Sequence, residues 1–274
     1  MKEFIYKLFS GYLFWFGAIF IFMGVAFWNR HIYLSLGRPA VFTGWCLFIL
    51  LIVLAAFNAR KRLSMLPLGK ASTWLRIHII GGVFALFLLW LHTDAFWPTG
   101  LYEQALALLF YLVTLSGVLG YFLQKFYPPL LSASGLEIIY ERIPSEIAYT
   151  REQAEAIILA CTKETASDTL AQHYLETLEW FFRRPRFCLH HAFGSKKAFA
   201  WIHRQGTIVR RYLNNEEQKF LDKLLTLAKR KTHIDLHYVA QSIMKGWLLI
   251  HLPLSVAMMA LAIWHIIIVH IYSL

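Results

Sequence analysis

The chain has 274 residues, of which 58% are hydrophobic and 16% aromatic, with a formal net charge of +11 and a mean hydropathy of +0.50. That balance excludes an ordinary soluble globular protein and points to several membrane spans. A cleaved secretory signal is also not expected. The first apolar segment begins after Met1–Lys7, runs about as long as a full span, and ends in Asn29-Arg30 without a small-residue cleavage site.

Five stretches are long and apolar enough to cross a bilayer, at 11–28, 40–58, 74–96, 102–124 and 246–271. Their ends are marked by Trp28-Asn29-Arg30, Arg60-Lys61-Arg62, Trp97-Pro98, Lys125-Phe126-Tyr127 and Lys245-Gly246-Trp247. The 59–76 stretch carries Arg60, Lys61, Arg62, Lys70 and Arg76 and no acid, whereas the turn after the third span has only Asp94 and Glu103 at its flanks. The positive-inside rule therefore places the N-terminus, the 59–73 loop and 125–245 in the cytoplasm. In that topology the third and fifth spans run in the same direction.

Three regions follow from this pattern: spans one to four over 1–127, a soluble cytoplasmic segment over 128–244, and span five over 245–274. Pro128-Pro129 is expected to stop the fourth helix. Within the soluble segment, Glu152–Cys161 and Thr169–Phe182 read as amphipathic helices. Arg186–Leu189, Ala198–His203 and Ile208–Tyr212, separated by Gly194-Ser195 and Gln205-Gly206, read as short strands of a meander. Asn214-Asn215-Glu216-Glu217 reads as the cap of a helix over 216–230. The expected fold class is therefore all-α in the membrane with a small α+β soluble domain between spans four and five. No dinucleotide fingerprint and no P-loop occurs there, so a flavin, nicotinamide or ATP site of its own is not expected.

The chemistry lies in the histidines. His78 and His92 are fourteen residues apart in the third span, and His251 and His265 fourteen apart in the fifth. Fourteen residues is just under four helical turns, so both members of a pair share a face, about 21 Å apart along the axis. Two such helices side by side offer one imidazole couple near each membrane surface. Parallel spans put His78 level with His251 and His92 level with His265; antiparallel spans would exchange partners and keep two couples. An ionisable group inside a span is functional by default. A neutral His bonded to a neighbouring helix would explain one such residue; two pairs of identical spacing fit two stacked, bis-histidine-ligated haems. Carboxylate and thiolate companions for zinc or non-haem iron are missing. The three cysteines, Cys46, Cys161 and Cys188, form neither C-x-x-C-H nor a closely spaced cluster-binding run. The haems would be b-type, held by side chains and packing.

Other residues carry two readings each. Gly81 and Gly82 lie on the face of His78, either making room for a macrocycle or serving helix packing; Gly117 and Gly120 pose the same choice. Arg76 and Lys245 flank the inner level, as propionate partners or as positive-inside anchors. Asp94, with Trp97, Tyr102 and His270, would form a quinone site near the outer haem, Asp94 accepting the quinol proton; the plain alternatives are a solvated loop acid and an interfacial histidine. His233 and His237 lie just before the fifth span in a polar stretch, where a third haem or metal is not expected. Cys188-x-His190-His191 lacks a companion pair at metal-site spacing and reads as strand and turn residues.

Two spans that each carry His-x13-His, with one span between them, resemble the haem-binding four-helix core of the cytochrome b superfamily, a group that includes the cytochrome b of quinol oxidases and the ferric-reductase or NADPH-oxidase-type membrane domain. The resemblance covers the membrane spans and implies that His78, His92, His251 and His265 ligate haem iron. Ligands on the third and fifth spans are similar to the ferric-reductase type; with the first span as an extra helix, the remaining four match the cytochrome b core. The flavin and nicotinamide domains of the first type and the Pro-Glu-Trp-type quinol motif of the second are not found here, and the 128–244 insertion belongs to neither. The function expected is a di-haem subunit of an oxidoreductase complex in a bacterial inner membrane. It would move electrons between the quinone pool and a partner such as a c-type cytochrome, an iron–sulfur protein or a flavoprotein. A nucleic-acid partner is not expected. The rival expectation is a membrane protein that handles haem or metal in transit.

Overall fold

A computed structural model describes residues 2–62 and 69–272, with side chains described over 12–57 and 69–272. The centre of the basic loop (63–68), the side chains of Arg60, Lys61 and Arg62, and Ser273-Leu274 lie outside the described residues. The chain is all-helical, with no strand among the described residues. It divides into two compact units, Met1–Tyr121 with Leu248–Leu274, and Phe122–Trp247.

The first unit is built from α1 (Lys2–Leu34), α2 (Pro39–Arg62), α3 (Ala71–Thr93), most of α4 (Leu101–Ser132) and the last part of α10 (Asn215–Tyr272). All five helices are long and apolar enough to cross a membrane. Their outward residues are large and apolar, among them Phe20, Phe27, Ile49, Leu115 and Val256, as a lipid-facing surface requires. α1 meets α3 through Phe22, whose ring lies 5.6 Å from Phe84 and 5.9 Å from Phe87. α2 and α3 pack closely along their length. Gly81 permits this: a Cβ there would sit 2.9 Å from Leu54 Cδ2. At Gly82 a Cβ would meet nothing within 4 Å. Leu47, Ala85, Phe110 and Met258, one from each of α2, α3, α4 and α10, form the buried waist of this unit with Leu88 and Leu89.

The helix expected over 216–230 is only the start of α10, which runs unbroken over Asn215–Tyr272, and the second unit corrects two further expectations. The stretch read as a strand meander is helical. Arg186–Leu189 leads into α8 (Cys188–Ala192), and the other two strands merge into α9 (Lys197–Arg210). Ala198, Ile202, Gly206 and Val209 are the buried residues of α9, at intervals of four, four and three, the period of a helix rather than a strand. Gly206 is therefore no turn. A Cβ there would lie 2.7 Å from Leu225 Cδ1, so the glycine admits a neighbouring helix. The domain is thus all-α, not α+β. The second correction concerns Pro128-Pro129, which lie inside α4 instead of ending it. Proline's φ suits a helix, but each ring removes a donor N–H and crowds the carbonyl four residues back, so the turn needs tertiary support. The turn they occupy is held by Tyr127, which is buried and donates its hydroxyl to the Ala192 carbonyl at 3.0 Å.

Elsewhere the amphipathic pattern gives helices: α5 (Ile143–Thr165), then α6 (Thr169–His173), one π turn over Tyr174–Leu178, and α7 (Glu179–Arg183). Their buried faces (Ala154, Ile158, Cys161, Leu170, Tyr174, Phe181, Phe182) close on Ile202, Leu221, Leu224 and Ala228. Asn214 caps α10 reciprocally: Glu217 N–H donates to Asn214 Oδ1 and Asn214 N–H to Glu217 Oε2, both at 2.8 Å. Lys231 and Asp235, one turn apart and both fully buried, form an ion pair at 2.7 Å. Lys231 Nζ also donates to the Arg184 carbonyl at 2.7 Å and lies 4.3 Å from the centre of the Phe181 ring.

Candidate haem-binding site

The first unit brings the four span histidines together as two couples. The ring centres of His78 and His251 are 6.3 Å apart, and so are those of His92 and His265. The ring planes are close to perpendicular, at 78° and 88°. Because 78 pairs with 251 and 92 with 265, α3 and the last part of α10 run parallel. Their backbones stay apart over nearly all of their length, and the imidazoles bridge the gap.

The other two helices follow the same fourteen-residue register. α2 offers the carbonyl of Leu54 to His78 Nδ1 at 3.1 Å and that of Ala40 to His92 Nδ1 at 2.9 Å. A carbonyl only accepts, so in each neutral ring Nδ1 carries the proton and Nε2 keeps its lone pair. α4, antiparallel to α10, offers Ser116 and Tyr102. Ser116 Oγ lies 2.7 Å from His251 Nδ1, and the Tyr102 ring stacks on that of His265 with centres 6.0 Å apart, its hydroxyl donating to the Leu261 carbonyl at 3.2 Å. Two further residues of α2 fit round His92. Thr43 Oγ1 lies 3.4 Å from its Nδ1, and a Cβ on Gly44 would be 2.9 Å from its Cε1. Seven residues from each ligand stand Ala85 and Met258, and midway between Ala40 and Leu54 stands Leu47; the apolar waist thus lies between the two levels.

These couples fit a bis-imidazole iron. A metal–imidazole nitrogen bond is about 2.0–2.1 Å and the ring centre lies roughly 1.1 Å beyond the nitrogen, so two rings on opposite sides of one metal have centres about 6.2–6.4 Å apart. Nδ1 bound to an acceptor, leaving Nε2 as the donor atom, is the usual outer-shell arrangement of a metal-bound histidine. Among the described residues, no group of three or more His, Cys, Asp or Glu side chains gathers as a metal cluster. The donor set is therefore two separate imidazole pairs.

The remaining sequence candidates are placed as follows. Arg76 is half-buried two residues before His78. Tyr102 stands at the His92–His265 couple. Asp94 is exposed and ends α3 in a left-handed conformation, φ 50°. Trp97 stacks with Tyr111, centres 6.4 Å apart, and His270 bonds its own helix at the Ile266 carbonyl and meets Trp45 edge-on. Neither a hydrogen bond nor a ring contact joins Asp94, Trp97 and His270 to one another or to Tyr102. In the second unit Lys245 pairs with Glu141 at 2.6 Å, and His237 bonds Ser134 Oγ at 2.9 Å.

Ser116, Thr43, Gly44 and the Ala40 and Leu54 carbonyls escaped the sequence reading. Only Tyr102 and Ser116 left a readable trace, the same interval of fourteen on a span that neighbours a ligand span. Comparison with family models, curated proteins and solved structures finds no match for the chain.

Proposed function

We propose that this chain is a di-haem b cytochrome subunit that carries electrons across a bacterial inner membrane, between the quinone pool and a partner redox protein. The partner would be a c-type cytochrome, an iron–sulfur protein or a flavoprotein. The observation that carries the reading is the geometry of the two couples, each with ring centres 6.3 Å apart, the separation two imidazoles take across one iron. When bound, b haem supplies one-electron redox chemistry at its iron. The protein's part is ligation by His78 with His251 and by His92 with His265, about 21 Å apart along the helices. Leu54, Ala40 and Ser116 fix the ligand rings, and the waist of Leu47, Ala85, Phe110 and Met258 keeps water from between the levels. Gly82 gives room beside the inner couple, and Arg76 is placed in sequence to meet a propionate there.

A role in handling haem or metal in transit fits less well, since both couples are fixed by outer partners and spaced by a packed core. The basic 59–76 stretch supports a cytoplasmic N-terminus and a cytoplasmic 128–244 segment. A quinone site at the outer level, with Asp94, Trp97, Tyr102 and His270, belongs to this proposal; its best-supported member is Tyr102, stacked on His265. Pyridine haemochrome analysis of the purified chain tests the reading. Two non-covalent haems per polypeptide are expected, and one or none overturns it.

A further inference from the structure

The two couples are not equivalent, and α4 makes them differ. At the outer level it lays the face of Tyr102 on His265, to whose ring no hydrogen bond runs among the described residues. At the inner level, fourteen residues on, it points the Ser116 hydroxyl at His251 Nδ1, 2.7 Å away. A hydroxyl either donates or accepts, so the contact alone leaves the ring's proton undetermined. Ligation would decide it: were His251 to hold iron through Nε2, its proton would sit on Nδ1 and the Ser116 hydroxyl would accept. An acceptor drawing on Nδ1–H makes the imidazole a more basic ligand, which favours the oxidised metal. Ser116 faces only the inner couple; the outer one is about 21 Å away.

We infer that Ser116 is a positioning residue for His251 that lowers the potential of the inner haem selectively, so that the two redox centres differ through residues of α4. The inference rests on the di-haem reading. Its test is a spectroscopic redox titration of the full chain and its variants in detergent. Ser116→Ala should keep two haems per chain, raise the midpoint potential of the transition that depends on His78 and His251, and leave the other in place. Ser116→Thr, which retains the hydroxyl, should restore the wild-type value. If Ser116→Ala loses the inner haem, Ser116→Cys carries the same test with a weaker acceptor and should give a smaller upward shift. An unchanged inner potential in the Ala variant, or in the Cys variant where Ala empties the site, overturns the inference. So does an equal movement of both transitions. A wild-type chain that binds fewer than two haems fails at the earlier step, and the two failures are told apart by the haem count.

Discussion

His92 and Ala40 are joined across two spans: the imidazole Nδ1 lies 2.9 Å from the carbonyl oxygen, and one helical register away His78 and Leu54 repeat the contact at 3.1 Å. α2 therefore acts as a template for α3, setting the tautomer of both its histidines with backbone groups that no side-chain substitution removes. Close approach of the two helices is what makes this possible, and two glycines allow it, Gly81 on α3 and Gly44 on α2.

Gly44 and Gly82 should respond differently to a methyl group. In Gly44→Ala the new Cβ would stand 2.9 Å from His92 Cε1, so the ring must move. Overpacking of this kind costs about 1–3 kcal/mol, roughly five- to 150-fold in affinity, and it should fall on the haem proposed at His92 and His265. Gly82→Ala meets no neighbouring atom within 4 Å beyond its own helix backbone, so the haem-free chain should be as stable or gain about 0.5–1 kcal/mol from the helix-interior alanine. If the space belongs to a macrocycle, inner-haem occupancy should drop in that variant, as read from visible spectra.

The Lys231–Asp235 pair should be needed by each partner for the other. Both side chains are fully buried, so Lys231→Ala leaves a carboxylate without its ion-pair partner. That should destabilise the second unit by about 3–5 kcal/mol, whereas the double change Lys231→Met with Asp235→Leu should recover most of the loss. Hydrogen exchange of peptides from α7 and α10 would report both.

Through His191, acid should loosen the same unit, against an opposite contribution from Asp235, whose carboxyl burial pushes up to about 7. His191 is buried, and burial, with Lys231, His190 and His233 nearby, holds its pKa down at about 4. Between the unfolded value near 6.5 and the folded value the unfolded chain binds the extra proton, so stability is present above pH ~6.5 and is lost as pH falls towards about 4. The loss from this one group is on the order of 3 kcal/mol. His173, His233 and His237 are lowered by burial as well and act in the same direction. His191→Phe should flatten the dependence of exchange protection on pH after correction for intrinsic rates.

Cys188 is exposed, Cys161 is buried, and Cys46 lies within the second span. A thiol reagent that cannot cross membranes should therefore report on Cys188. In intact spheroplasts the expected outcome is no labelling, with labelling after the membrane is opened. Reaction from outside would invert the proposed orientation.

The positions of the spans and the four histidines were legible because membrane burial demands long apolar runs and because an interval of fourteen survives on any straight helix. What sequence could not convey was partnership between helices. Nothing local to Thr43-Gly44 says that His92 will lie against it, and a backbone carbonyl such as Ala40's carries no residue signature at all. The reading of 198–212 as strands failed for a different reason. Aromatic and β-branched residues with a glycine in their midst imitate strands and a turn, while the deciding fact, the buried series Ala198, Ile202, Gly206 and Val209, appears only once Leu225 is known to press on Gly206. Likewise Pro128-Pro129 signals an end to a helix unless tertiary contacts such as Tyr127 to Ala192 hold the next turn.

The central claim is that the histidines work as two level couples, each holding one haem. It is tested most directly by redox-resolved visible spectra of four single variants: His78→Ala, His251→Ala, His92→Ala and His265→Ala. The account expects the first two to abolish one and the same haem transition, and the last two to abolish the other, each variant keeping one haem per chain. Loss of different transitions by His78→Ala and His251→Ala, or retention of both haems in any of the four, would contradict it.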